Sequence, residues 1–98
     1  MNLIYHIVPA DSWAKQANLS IYEAPSLQTE GFIHLSQKEQ VTGTLSRYYQ
    51  NVPDLLLLHI DADKLTHKLK YEIATNNELF PHLYGPLNKD AVVHVEVL

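Results

Sequence analysis

Apolar and polar residues alternate with the two-residue period of a half-buried strand in three separate stretches of the chain. Leu3 to Val8 is dense in β-branched and aromatic residues and predicts a first strand. In Phe32 to Ser36, the residues Phe32, His34 and Ser36 share one face, and Ile33 and Leu35 share the other. Lys68 to Ile73 sets Leu69, Tyr71 and Ile73 against Lys68, Lys70 and Glu72. Val92 to Leu98 sets Val93, Val95 and Val97 against His94 and Glu96. The leucines from Leu55 to Leu58 open a stretch ending at Asp61 and predict a central strand buried on both faces. One stretch has the helical period instead. Val41, Leu45, Tyr48 and Tyr49 fall on a single stripe, interrupted only by Gly43. Ser36 with Glu39 reads as a capping box that starts this helix at about Gln37.

Between these elements the chain is punctuated by proline, glycine and asparagine. Pro9 ends the first strand and opens a short helix that carries Trp13 and Ala17 and stops near Asn18. Ser26 to Glu30 reads as a helical turn closed by Gly31. Asn51 to Asp54 is a turn, Asp61 to Leu65 a single helical turn, and Thr75 to Glu78 a polar loop. Phe80 to Leu87 reads as a loop rich in aromatic residues, proline and glycine. Strands crowd the second half, so the expected class is α+β in one compact domain spanning residues 1–98.

Composition narrows the function. The formal charge is −4 and Arg47 is the sole arginine, so the clustered cations that displace counterions from a nucleic-acid backbone are missing. No nucleic-acid partner is expected. Without cysteine there is no disulfide, thiolate-metal site or thiol nucleophile. The start Met1 to His6 does not read as a signal peptide, and no apolar run is long enough to cross a bilayer. A cytoplasmic protein without a membrane partner is the expectation.

Six histidines carry the candidate chemistry. His6 lies mid-strand among apolar neighbours, either as a buried group bonded to a carbonyl or as a cleft-floor group that holds a ligand hydroxyl. His34 sits on a strand just before a helix start, where free amides and a partial positive charge suit a phosphate or carboxylate. Ser36 is either the helix cap or a nucleophile, with the cap favoured. His59 and Asp61 share a strand face and could form an oriented pair. Glu72 is a candidate acid–base group or ribose ligand. His82 and Tyr84 could stack on a flat ring. No HxH or HxxxH spacing occurs, and no metal is expected. A half-exposed antiparallel sheet would show the same rows of polar residues, so the pattern does not by itself define a cleft.

Ile4-Tyr5-His6-Ile7, Glu30-Gly31-Phe32-Ile33-His34-Leu35-Ser36, Glu72 and Phe80-Pro81-His82-Leu83-Tyr84-Gly85-Pro86-Leu87 together closely resemble the small bacterial family catalogued as domain of unknown function 952. The family in turn looks related to the ADP-ribosyltransferase-like fold. Its Tyr-His start and its Gly-to-His-Leu-Ser strand are similar to elements of RNA 2′-phosphotransferases. That resemblance implies a split, mixed or antiparallel sheet with two or three short helices, and a cleft for NAD as substrate or for a related nucleotide. It implies that His6 contacts the ribose, that His34 and Ser36 line the same cleft, and that Glu72 or Glu96 supplies a carboxylate. The implied activity is ADP-ribosyl transfer or hydrolysis. The alternative is a binding module that keeps the cleft without the chemistry. Ile7-Val8 stands where the phosphotransferases have Gly-Thr, and their several arginines are missing, which argues against removal of an RNA 2′-phosphate.

Overall fold

A computed structural model describes residues 1–98. Strand β1 (Leu3–Pro9) runs into helix α1 (Ala10–Lys15), followed by the two-residue strand β2 (Ile21–Tyr22) and helix α2 (Ser26–Glu30). Strand β3 (Ile33–His34), a 3₁₀ turn (Lys38–Gln40) and helix α3 (Val41–Tyr48) come next. The second half holds β4 (Leu55–Asp61), β5 (Lys68–Ile73), β6 (Leu79–Tyr84), β7 (Leu87–Asn88) and β8 (Val92–Val97). Every strand pair is antiparallel, in three sheets ordered β1-β4-β8, β3-β6-β5 and β2-β7. This is an α+β domain, and of the mixed and antiparallel alternatives it takes the antiparallel one. No helix is long and apolar enough to cross a membrane.

The leucine run does occupy the central strand of its sheet. Leu58 and Ile60 on one face of β4 join Ile4 and Val8 of β1 in a core completed by Ile33 of β3 and Leu83 of β6. Leu55 and Leu57 on the other face join Tyr5 and Ile7 beneath Val41, Leu45 and Tyr49 of α3. A strand buried on both faces needs apolar residues at every position, which is why its sequence shows no alternation.

The two three-stranded sheets meet at one place. Tyr5 N–H donates to the Ser36 carbonyl at 2.8 Å, and Ser36 N–H donates back to Tyr5 at 2.7 Å. Continuation of that ladder would next pair Ile7 with His34. Instead Leu35 N–H turns to the Pro81 carbonyl of β6, and β1 and β3 diverge. The sheet is split there.

Four expectations change. The segment from Phe80 is not a loop: β6 is the central, buried strand of its sheet, and its Pro81 carbonyl still accepts a bond although the residue has no N–H to give. The capping box is formed by Gln37 and Gln40, one residue beyond Ser36 and Glu39, and opens a 3₁₀ turn before α3 begins at Val41. Tyr48 leaves the buried stripe, 61% exposed, since α3 ends there. The apolar rows of the edge strands β5 and β8 stay largely open, with Tyr71, Ile73, Val93, Val95 and Val97 exposed.

Candidate functional site

The divergence of β1 from β3 leaves a gap that one side chain spans. His6, in the same row as Ile4 and Val8, donates from Nδ1 to the carbonyl of His34 at 2.7 Å. A carbonyl can only accept, so Nδ1 carries the hydrogen and Nε2 keeps its lone pair in the neutral ring. Burial pushes the imidazole down from 6.5 to about 4, a little further for the neighbouring His34, against the opposing pull of the bond to the His34 carbonyl. His6 is therefore a neutral acceptor at physiological pH.

Around this gap lies a cavity of about 550 Å³. His6, His34, Ser36 and His82 all line it. Tyr22, Pro25, Glu30, Thr44, Tyr49 and Thr75 are also part of the lining. Tyr48 Oη and Thr75 Oγ1 lie 2.8 Å apart, joining the end of α3 to the β5–β6 turn. Burial raises the Tyr22 hydroxyl to about 12 and also raises that of Tyr49, so both remain protonated donors. Glu30 is the only charged side chain of the lining unless a histidine is protonated, and no lysine or arginine faces the cavity.

His34 is 52% exposed at its side chain and meets Glu30 through Nε2 at 3.0 Å. That pair forms because α2 ends at Gly31 in a left-handed conformation (φ 87°), which turns the chain directly into β3. His82 is buried. Its Nδ1 donates to Glu72 Oε1 at 2.8 Å, and the Tyr84 hydroxyl donates to the same oxygen at 2.5 Å. The Tyr84 and His82 hydrogen bonds hold the Glu72 carboxyl below its usual range, and the Tyr84 phenol is raised in turn by its bond to Glu72. The register makes this trio possible, because Glu72 lies opposite Phe80, Lys70 opposite His82 and Lys68 opposite Tyr84 on one face of the sheet. Phe32 stacks on the His82 ring, with centroids 4.1 Å apart.

Of the residues singled out in the sequence, His6, His34, Ser36 and His82 thus converge on one cavity. Glu72 and Tyr84 do not line it and stand behind His82 as its support. Ser36 Oγ lies 3.3 Å from Thr44 Oγ1 instead of capping the next turn. Gln37, Lys38 and Glu39 are not part of the lining, so the helix start offers no amide cradle to a ligand. His59 bonds Glu96 of β8 at 2.8 Å, while Asp61 caps the following 3₁₀ turn through Asp63 N–H. Both lie outside the cavity. Tyr22, Thr44, Tyr49 and Thr75 were not singled out as site residues. The available signal was tyrosine at two consecutive positions where the stripe of α3 would otherwise take leucine.

The family model described as "Protein of unknown function (DUF952)" matches residues 7–95. The chain belongs to this family. The crystal structure of protein CC0527 from Caulobacter crescentus is similar to it, with a TM-score of 0.91 and 33% identity over 99% of this chain and 86% of that one. A double mutant of CC0527 superposes with a TM-score of 0.90 at 32% identity, over 99% of this chain and 86% of the other. The solution NMR structure of CC0527 gives 0.84 at 33% identity, over 100% and 85% of the two chains. No curated protein matches the chain. This chain therefore shares its α+β fold with CC0527.

Proposed function

We propose that the cavity binds the ribosyl portion of a nucleotide of the NAD or ADP-ribose type, and that ADP-ribosyl transfer or hydrolysis is the chemistry this binding serves. The supporting observation is the convergence of His6 and His34, from two diverging strands, on one cavity of about 550 Å³. That volume is within the range of small-ligand pockets. The lining is rich in hydroxyls, from Ser12, Ser26, Ser36, Thr44 and Thr75, which suits sugar recognition.

In such a reaction the bond from the ribose carbon to nicotinamide breaks and nicotinamide leaves with the electron pair. Positive charge builds on the ribose carbon. A neutral His6, fixed by the His34 carbonyl, offers its Nε2 lone pair toward that charge without reorganising. Water or another hydroxyl then bonds to the carbon and gives up its proton to His34, whose imidazolium Glu30 would stabilise.

One observation favours the binding module as a second reading. The cavity presents no lysine or arginine for a diphosphate, and the Glu72 carboxylate is engaged behind His82. Melting with NAD, ADP-ribose and nicotinamide, together with nicotinamide release, separates the readings. A ligand at a hundred times its Kd adds about 2.7 kcal/mol, or roughly 10–20 °C for a domain of this size. Release cut at least tenfold by His6→Ala and His34→Ala supports the enzyme. A shift without release supports the module. No shift with any of the three removes the nucleotide cleft.

A further inference from the structure

One buried side-chain polar atom has no partner: Nε2 of His82, a residue that lines the cavity. Buried polar nitrogens without a partner are rare, because leaving one unpaired costs much of what a hydrogen bond supplies. We infer that His82 Nε2 is a subsite for a ligand hydroxyl, a role that rests on the ribosyl-binding reading above and assigns one of its contacts.

The geometry fixes what this nitrogen can take. Glu72 Oε1 accepts from Nδ1, so in the neutral ring Nε2 is an acceptor and needs a donor. One face of the ring is stacked by Phe32, with planes 16° apart, and the His34 ring stands nearly perpendicular to it with centroids 5.5 Å away. Stacking on a ligand ring is therefore not what His82 has left to offer, and the in-plane lone pair is. A phosphate oxygen is the wrong partner for that lone pair, since both are acceptors and the Glu72 carboxylate lies directly behind. The groups facing His82 are Glu72 and Lys70 of β5, Tyr84 of β6 and His34 of β3. Of these cations Lys70 turns to the Tyr84 ring, with Nζ 5.0 Å from its centroid, and is not part of the cavity lining. A sugar hydroxyl meets all of these conditions.

Two further features hold the nitrogen in place. The Glu72 oxygen that accepts from His82 is itself held by Tyr84, so the ring cannot flip without breaking its bond to a carboxylate already fixed by a second donor. The backbone of His82 pairs with His34 on one side and Lys70 on the other, at the centre of the sheet.

The test is a long-range proton–nitrogen spectrum of the histidine rings in the full chain at about pH 8, above the ordinary histidine range. It is recorded alone, with ADP-ribose and with inorganic phosphate, and binding is followed by calorimetry in parallel. The expected result is an Nε2 signal typical of an unprotonated nitrogen that moves with ADP-ribose and not with phosphate. His82→Phe, which retains a ring against Phe32, should weaken ADP-ribose at least tenfold, and His82→Gln should recover part of that loss. If ADP-ribose binds while the Nε2 signal stays still, the subsite is wrong and the cleft survives. If phosphate moves the signal, the site is anionic and the assignment falls. If neither compound binds, the subsite and the nucleotide reading fall together.

Discussion

His6 and His34 are joined by a side-chain bond to the backbone: Nδ1 of the first donates to the carbonyl of the second at 2.7 Å. The carbonyl would otherwise face the β1 backbone across a regular ladder. The imidazole thus replaces a strand-to-strand bond at the point where the two sheets part.

A buried neutral histidine makes stability depend on acidity. In the unfolded chain the ring titrates near 6.5, and in the folded protein burial lowers this to about 4. The unfolded state takes up the proton first, so stability is intact above 6.5 and is lost as the pH falls toward 4. The loss traceable to His6 is about 3 kcal/mol at most. Urea unfolding across this range should show a steeper acid loss for the parent than for His6→Gln, and parallel curves would contradict the assignment.

The carboxyl of Glu72 is lowered first by Tyr84 and then by His82. Tyr84→Phe removes the stronger donor and should raise the Glu72 pKa toward the ordinary carboxylate value. Carbon NMR of the side-chain carboxyl during an acid titration measures this. An unchanged midpoint would mean that the tyrosine does not reach the oxygen in solution.

Leu83 is fully buried in β6. Leu83→Ala should cost about 2–5 kcal/mol, as in other enclosed leucine sites. Chemical denaturation gives the value directly. A cost well under 1 kcal/mol would show that the segment is a surface loop after all.

Gly85 ends β6 with φ at 155°, and a Cβ there would lie 2.4 Å from the His67 ring. Gly85→Ala should destabilise by about 1–3 kcal/mol through overpacking. Adding His67→Gly should return part of that loss, a coupling that a double-mutant cycle isolates. Strictly additive changes would place the two residues apart.

Local chemistry made much of the first half legible. Gly31 after Glu30, and proline after Val8, mark their boundaries by conformational limits that need no partner. Leu55 to Leu58 announced a doubly covered strand because only burial on both faces calls for apolar residues at every position. Phe80 to Tyr84 did not, because proline and glycine signal a break, whereas this stretch is held extended by β3 on one side and β5 on the other. The valine row of β8 is a similar case. Its alternation is regular, yet Val95 and Val97 remain exposed at the sheet edge. At the site, the rows that carry His6 and His34 were readable from strand alternation. Their meeting was not, because it depends on the two strands separating after a single bridge. The pairing of His82 with Glu72 likewise depends on the β5–β6 register, which twofold alternation leaves free to slide.

The single stitch between Tyr5 and Ser36 also bears on how such a protein can change over time. The hollow beside it opens where the paths of two main chains part, and small side chains such as Ala24, Ser26, Ser36 and Ala74 line it as well. Enlarging one of these small residues would therefore narrow the space while the bridge and both sheets stay in place. Related chains can share one scaffold and still differ in the shape of this hollow.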